Sequence, residues 1–183
     1  MTTKRERTAA RIFQVAIALF ERDGYEATTV GRIAAEAGVS EMTFFRHFAT
    51  KDALLLDDPY DPVIAAAISA QPKDRPPLAR AIAGVRGAWA EVPVEGSDVV
   101  RRRLSIAATP VLRGAVSRNT LETERVVAEQ LVADGADPVA ARIAAAALLA
   151  AMMSALLQWA TGDDDRSMGS AIEQALNVLE GES

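Results

Sequence analysis

The side chains whose types could do chemistry are concentrated between Thr28 and Lys51. The apolar pattern of this stretch predicts a short helix with one buried face, and several polar or bulky side chains then fall on faces that the core does not need. Side chains presented in this way can reach base edges in the major groove of DNA. The set on those faces is Glu41, Met42, Thr43, Phe45, Arg46 and His47.

Two short helices joined by a sharp turn are predicted to position these side chains. Thr29 is a suitable N-cap for the first helix and Ser40 for the second. Gly38 lies between them, where a helix must end in a left-handed residue. Phe44 and Phe48, four residues apart, are predicted to point inward. A glycine-containing turn between two helices is typical of a helix-turn-helix, whose second helix fits a major groove.

Enzymatic chemistry is poorly supported by the sequence. The sole histidine is His47, inside the predicted reading helix, and the chain has no cysteine. No phosphate-binding glycine loop is visible, and we predict no cofactor and no metal. Three aspartates (57, 58 and 61) could form a site for a hard metal ion, but a solvated turn is the favoured interpretation.

The residue pattern around the turn resembles the TetR family of bacterial repressors over the first quarter of the chain. The residues that carry the resemblance are AAEAGVS followed by Thr43, Arg46, His47, Phe48, Lys51, Ala53, Leu54 and Leu55. The resemblance implies that Thr43, Phe45, His47 and Lys51 touch DNA, with Glu41 and Met42 near base edges. The predicted DNA-binding set also includes Thr29, Arg32 and Ser40.

Two positions depart from the family pattern. The family often has tyrosine at Phe45, so one hydrogen bond to phosphate is missing from the expected set. It often has proline at Ala49, so the second helix is expected to end less sharply.

Length and charge agree with a DNA-binding protein of ordinary globular composition. The 183 residues carry a net charge of −5, but residues 1–51 hold eight Lys or Arg against six Asp or Glu. One end is therefore net positive, as contact with a polyanion requires, although chance unevenness gives the same asymmetry. No secretory signal is visible at the N-terminus, so the cytoplasm is the expected location.

The predicted fold is all-α and TetR-like, with about nine helices. Residues 1–52 are assigned to a DNA-binding head of three helices and residues 53–183 to a helical body for ligand binding and dimerisation. The first helix is predicted over 8–22, preceded by a basic segment that either follows DNA phosphates or frays. Later helices are predicted over 51–70 with an interruption at 57–62, and over 77–92, 97–108, 109–133, 139–160 and 167–179.

The helix predicted at 139–160 is apolar on nearly every side. It falls short of the ~20 apolar residues that a bilayer needs, so we predict no membrane association. A helix of this kind in a soluble protein must be buried on nearly every side. Burial by its own chain and by a second copy meets that demand, with the last two helices forming half of an intermolecular four-helix bundle. The predicted dimer contacts are Leu149, Leu156, Ile172 and Leu176.

A ligand site would place polar groups on otherwise apolar stripes of the body. Arg103 lies on such a stripe with Val100, Leu104 and Ala107, and a buried guanidinium requires an anion or acceptors. An internal salt bridge or a snorkelling side chain would explain it equally well. Asn119 and Thr123 stand on a second stripe. Three large residues could complete the pocket or simply belong to the core: Trp89, Met152 and Trp159.

The body also weakly resembles the TetR subgroup that binds acyl-CoA-like ligands, through the turn at 57–62, the RRRL run and the following TPVLR. The favoured function is therefore a homodimeric regulator, most simply a repressor, that leaves a palindromic operator on double-stranded DNA when a small hydrophobic inducer binds, with acyl-CoA or a fatty acid as candidates. Two alternatives stay open: a DNA-binding dimer that senses nothing, and a small helical enzyme.

Overall fold

Ten helices make up the computed structural model of the chain, which describes residues 3–56, 61–90, 97–163 and 165–182. No strand occurs in these ranges, so the all-α prediction is confirmed. The helices are α1 Lys4–Asp23, α2 Val30–Glu36, α3 Glu41–His47, α4 Ala53–Leu56, α5 Asp61–Ser69, α6 Pro77–Ala90, α7 Ser97–Ala107, α8 Arg113–Ala133, α9 Pro138–Thr161 and α10 Met168–Glu180.

The first helix begins four residues earlier than predicted. The Thr3 hydroxyl accepts from the Glu6 amide and the Glu6 carboxylate accepts from the Thr3 amide, at 3.2 and 2.7 Å. This reciprocal capping box satisfies two amide donors that a helix start otherwise leaves unpaired. The basic segment is therefore the first turn of a helix and not an extended arm.

Two further helix limits differ from the prediction. The long helix predicted from position 109 begins at Arg113, because the Thr109 hydroxyl donates to the carbonyl of Ile106 and a 3-10 turn at Pro110–Leu112 precedes α8. The end of α3 is sharp even without a proline, since Phe48 adopts an extended conformation and packs against the core.

The head consists of α1 to α3, and its hydrophobic core extends beyond the predicted boundary at residue 52. Leu54 and Leu55 of α4 are buried in this core, and so are three residues contributed by the body: Ile106, Leu112 and Ala115. A second core lies among α5, α6, α8, α9 and α10. The head is thus seated on the body and shares a core with it.

Close approach of α5 and α6 in the body depends on a glycine. A Cβ at Gly84 would lie 2.6 Å from the Cα of Ile68, far inside van der Waals contact. No movement of a flexible side chain relieves a contact with backbone, so these two helices require glycine at this crossing.

A buried ion pair joins the start of α6 to the end of α8. Arg80 is 1% exposed, and its Nη2 lies 2.7 Å from Oδ2 of Asp134. Lys73 Nζ lies 3.0 Å from the other carboxylate oxygen, and Gln130 donates to Asp134 at 3.2 Å. Burial raises the pKa of Asp134, but these hydrogen bonds outweigh it, and the pKa lies at about 2.

This ion pair predicts that two variants, one at each partner, lower the free energy of unfolding by different amounts. Asp134→Asn leaves the Arg80 guanidinium buried without its anion and is expected to lower the free energy of unfolding by about 3–5 kcal/mol. Arg80→Met leaves Asp134 with Lys73 and Gln130 and is expected to lower it less. Urea denaturation of both variants measures the order, and a milder effect for Asp134→Asn would contradict it.

The same pair predicts a pH dependence. The folded-state pKa of Asp134 is depressed from an ordinary value of about 4, so its stabilisation is complete above that value and disappears as the pH falls towards 2. The difference in unfolding free energy between the native chain and Asp134→Asn is therefore expected to shrink over this interval.

Candidate nucleic-acid interface and body grooves

The helix-turn-helix forms as the sequence predicts. The Thr29 hydroxyl accepts from the amide of Arg32 at 3.2 Å, and the Ser40 hydroxyl accepts from the amide of Thr43 at 3.1 Å. Gly38 has φ +64°, in the left-handed region where a side chain is strained. The two caps and the glycine fix where α2 ends and α3 begins.

The third helix buries one residue fully, and four of its seven residues are exposed. Phe44 is fully buried, while Met42 is 72% and Phe45 is 51% exposed. The rings of Phe44 and Phe45 meet edge to face with centroids 5.4 Å apart. Large apolar side chains exposed beside polar ones on a short helix indicate a surface that another molecule covers.

Arg46 belongs to this surface; the sequence places it on an outward face of α3, but the predicted DNA-binding set does not include it. It follows Phe44 by two residues, which is 200° around the helix, so it points away from the core. Its side chain is exposed and makes no ion pair within the ranges that the structure describes. The signal was present in the spacing, because the same step that buries Phe44 exposes Arg46.

The side chains at the start of α2 are partly used within the protein. The Arg32 guanidinium lies 3.1 Å from the carboxylate of Asp23. Gly31 leaves room for Glu41, since a Cβ at Gly31 would lie 2.6 Å from the Glu41 Oε1. The roles of Thr29, Arg32, Ser40, Glu41, Met42, Thr43, Phe45 and His47 at DNA stay predictions.

Lys51 has contacts within the protein that its spacing did not reveal. Its Nζ donates to the carbonyls of Tyr25 and Thr28 at 2.8 and 3.0 Å and lies 3.9 Å from the centre of the Tyr25 ring. Burial lowers the pKa of Lys51, and nearby Asp52 and Glu26 oppose that change. A phosphate contact by Lys51 remains a prediction.

One helix of the body joins the head directly. Arg102 of α7 forms a bidentate pair with Glu21 of α1, with donor to acceptor distances of 2.6 and 2.5 Å. Ile106 of the same helix lies in the head core, and Leu104 packs with Trp159 of α9. A displacement of α7 would therefore act on both parts of the molecule.

The predicted ligand residues are divided between separate packing environments. Trp89 and Met152 pack in the main body core, whereas Trp159 belongs to the cluster with Leu104, and its indole N–H donates to the carbonyl of Arg166 at 2.7 Å. Thr123 is buried, and its hydroxyl donates to the carbonyl of Asn119 at 3.3 Å. That bond gives Thr123 a partner on its own helix.

Two grooves are described on the body, and neither is lined by a predicted ligand residue. The larger, of about 810 Å³, lies between α8 and α9, with its lining formed by Leu121, Glu124, Arg125, Ala128, Glu129, Val132, Ala133, Pro138, Arg142 and Ala146. The smaller, of about 200 Å³, lies between α9 and α10. Arg103 of α7 is half-buried and lines neither groove.

Two of the four predicted dimer contacts pack inside their own chain. Ile172 is 2% exposed and Leu176 is fully buried, both within the core of a single chain, so neither can meet a partner. Leu149 and Leu156 are half-buried and pack against the cores. The spacing of these four residues indicates apolar helix faces, but it does not indicate whether the same chain or a second copy covers each face.

A different apolar surface lies open on α9. Val139 and Ile143 are 54% and 65% exposed, and Ala150 and Ser154 continue the same side of the helix; we call these four residues the α9 face. Of the helices described, Pro138–Thr161 is long and apolar enough to cross a membrane by length and composition alone, and 28% of its most apolar window is buried. Core helices of soluble proteins pass that same test.

Three aspartates were suggested for a metal site. Positions 57 and 58 lie outside the described residues, and so does the side chain at position 61. Within the described ranges, no group of three or more His, Cys, Asp or Glu side chains has the proximity that a metal ion requires.

Comparison with known proteins places this architecture in a family. Residues 12–57 match the family "Bacterial regulatory proteins, tetR family", and residues 75–182 match the family "MftR C-terminal domain". The transcriptional regulator TcmR of Streptomyces glaucescens is 30% identical over 191 residues, which span 96% of this chain and 84% of that protein. The chain belongs to the TetR family of DNA-binding transcriptional regulators, whose members bind operator DNA as dimers.

Solved structures share the fold. NalD of Pseudomonas aeruginosa, the secondary repressor of the MexAB-OprM multidrug efflux pump, has a TM-score of 0.60 at 22% identity, covering 96% of this chain and 95% of that one. FadR of Thermus thermophilus, a TetR-family repressor solved with lauroyl-CoA, has a TM-score of 0.51 at 24% identity, covering 94% and 93%. The TetR-like architecture predicted from the sequence is confirmed.

The exposed guanidinium of Arg46 generates a prediction about DNA. If it reads a base edge, Arg46→Ala is expected to weaken binding by about 1–3 kcal/mol and to relax the preference at one base pair. The measurement is fluorescence anisotropy with DNA selected from a randomised pool and with single-base variants of it.

Arg142→Ala provides the matched control, because Arg142 is an exposed arginine on α9. This variant should bind every DNA as the native chain does. Equal weakening on all sequences by Arg46→Ala, with a shallower salt dependence, would assign Arg46 to a phosphate and contradict base reading.

Proposed function

We propose that this regulator is a homodimeric repressor that binds a palindromic operator and is released by a small hydrophobic or amphipathic ligand. The observation that carries the DNA-binding part is the exposed surface of α3, where Met42, Phe45 and Arg46 are exposed together while Phe44 anchors the helix. Each subunit inserts α3 into one of two successive major grooves, spaced by about 34–36 Å or a multiple. Because DNA is the target, we place the protein in the cytoplasm.

Repression as the sign of regulation is supported by similarity. A regulator of Mycobacterium tuberculosis, the transcriptional repressor Rv3405c, is 47% identical over 55 residues, which span 30% of this chain and 29% of that protein. A repressor blocks a promoter by occupying its operator, so release by a ligand switches transcription on.

Dimerisation through the α9 face follows from its apolar character. Val139 and Ile143 are large apolar side chains more than half exposed on a helix with no charged residue after Arg142. Val178 of α10 is 65% exposed beside the smaller groove, which continues this surface. A two-fold contact would cover the same surface on both subunits.

Ligand response requires a physical route from body to head, and α7 supplies one. Its Arg102 is paired with Glu21 of α1, and its Arg101 lies over the ring of Trp159 on α9 at 4.8 Å. Neighbouring residues of one helix therefore contact both parts. A ligand that binds better to a displaced α7 shifts the population towards dimers whose reading helices no longer match the operator.

An acyl-CoA or a fatty acid is the ligand class that we propose. Arg103 follows Arg102 on α7 and is half-buried, and its guanidinium can donate to an anionic or carbonyl head group. The FadR structure with lauroyl-CoA shows that this fold accommodates such a ligand in another protein. Trp159, which packs in one cluster with Leu104 of α7, is proposed to line the apolar part of the site; the roles of Asn119, Thr123, Trp89 and Met152 stay predictions.

The dimer proposal is tested by a charge on the α9 face. Ile143→Arg would bury an unpaired charge against a second copy, so sedimentation is expected to show monomers at micromolar concentration, with much weaker operator binding. Val63→Arg is the control, since Val63 is also about half exposed but lies on α5. Persistence of the dimer in Ile143→Arg would remove the α9 face from the interface.

The ligand proposal is tested by titrating operator-bound protein with long-chain acyl-CoA. Losing one charge-assisted hydrogen bond removes about 1.5–3 kcal/mol, so Arg103→Ala should weaken release by roughly 10- to 150-fold while operator affinity without ligand is retained. Arg118→Ala, an exposed arginine on α8, should release like the native chain.

Two other outcomes count against this proposal. Equal release of Arg103→Ala and the native chain would exclude Arg103 from the site. No release by any acyl compound would favour a DNA-binding dimer that senses nothing.

A further inference from the structure

A compact cluster of Tyr25, Lys51 and Asp52 joins two turns of the head that are distant in sequence. Tyr25 lies between α1 and α2, whereas Lys51 and Asp52 lie between α3 and α4. The Tyr25 hydroxyl donates to the Asp52 carboxylate. The Lys51 ammonium lies over the face of the same ring, 3.9 Å from its centre, which is close enough for a cation–π attraction.

The ammonium group of Lys51 has three N–H donors, and two of them are used within the head. They are directed to the carbonyls of Tyr25 and Thr28, at 2.8 and 3.0 Å. Thr28 is fully buried, and its own hydroxyl donates to the carbonyl of Gly24 at 2.8 Å. Because Thr29 caps α2, the position of these carbonyls determines where α2 begins.

Each end of the cluster is attached to the head core. On one side, Leu54 and Leu55 are 2% and 1% exposed, so the segment that carries Lys51 and Asp52 is fixed. On the other side, the Tyr25 ring packs against the ring of Phe20 with centroids 5.1 Å apart. Burial and the hydrogen bond to Asp52 both raise the pKa of Tyr25, so its hydroxyl remains a donor at neutral pH.

We propose that Tyr25 and Asp52 are positioning residues of the DNA-binding surface, which hold Lys51 as a tether between the turn before α2 and the turn after α3. This inference rests on the proposed DNA-binding function. The tether sets the orientation of α2 relative to α3. It leaves one N–H of Lys51 for a phosphate, so the two roles of Lys51 can be separated by experiment.

Two variants and a control separate the tether from a phosphate contact. Lys51→Met removes both, whereas Tyr25→Phe removes the bond to Asp52 and keeps the lysine. Lys4→Met, the same substitution at an exposed head lysine, is the control for amide hydrogen exchange. Two properties are measured for each: amide hydrogen exchange over residues 25–36 in the free protein, and the salt dependence of binding to selected DNA.

For the tether we expect faster amide exchange over residues 25–36 in Lys51→Met and, to a smaller degree, in Tyr25→Phe, with no change in Lys4→Met. Operator affinity should fall at least about 10-fold in Tyr25→Phe, while its salt dependence keeps the native slope because Lys51 remains. The slope should become shallower by about one unit in Lys51→Met but not in Tyr25→Phe.

Two results would overturn the tether. One is native amide exchange in Lys51→Met together with the shallower slope, because that combination defines a lysine that only contacts phosphate. The other is native affinity and native exchange in Tyr25→Phe, which keeps the inference testable if Lys51→Met fails to fold. If the native chain binds no DNA, the proposed function is contradicted. Amide hydrogen exchange in the variants would still test whether the tether exists.

Discussion

The body is organised by the need to cover one helix that is apolar around nearly its whole circumference. Helix α9 has no charged residue after Arg142, and α6, α7, α8 and α10 all pack against it. Its own chain buries Leu148 and Met152 but leaves Val139 and Ile143 more than half exposed. Since a helix of this composition is stable in water only when covered, the same property that builds the core of one subunit leaves a surface for a second.

The head has a different constraint, because two of its three helices are too short to be stable by themselves. The helices α2 and α3 have seven residues each, well below the length at which an isolated helix persists in water. They are held by caps at Thr29 and Ser40, by burial of Phe44, and by the Lys51 contacts to the turn before α2. Because these contacts hold α3 in place, its outward side chains are not needed for folding. They are therefore available to contact another molecule.

Helix α7 contacts both parts of the molecule through neighbouring side chains. Consecutive residues of a helix point 100° apart, so Arg101 and Arg102 reach Trp159 of α9 and Glu21 of α1 respectively. Exposed ion pairs contribute little to stability, with typical values of about 0–1 kcal/mol. The value of the Arg102 pair lies in its position, because an exposed bond between α7 and α1 can be remade at small cost when α7 moves.

The sequence alone determined what depends on near neighbours: the helical class, the caps, the glycine turn at Gly38 and the outward faces of α3. These features follow from residue type and from spacing within one or two turns. Only the tertiary structure decided which apolar faces meet which partner, because a stripe such as that of Ile172 and Leu176 suits a chain's own core and a second copy equally well. The same limit applies to the ion pair between Arg80 and Asp134, which are 54 residues apart. It also applies to the hydrogen bonds of Lys51, because their acceptors are backbone carbonyls, which every residue carries. Long-range contacts of this kind leave no periodic trace in the sequence, so the physical role of each residue was fixed only when the chain folded.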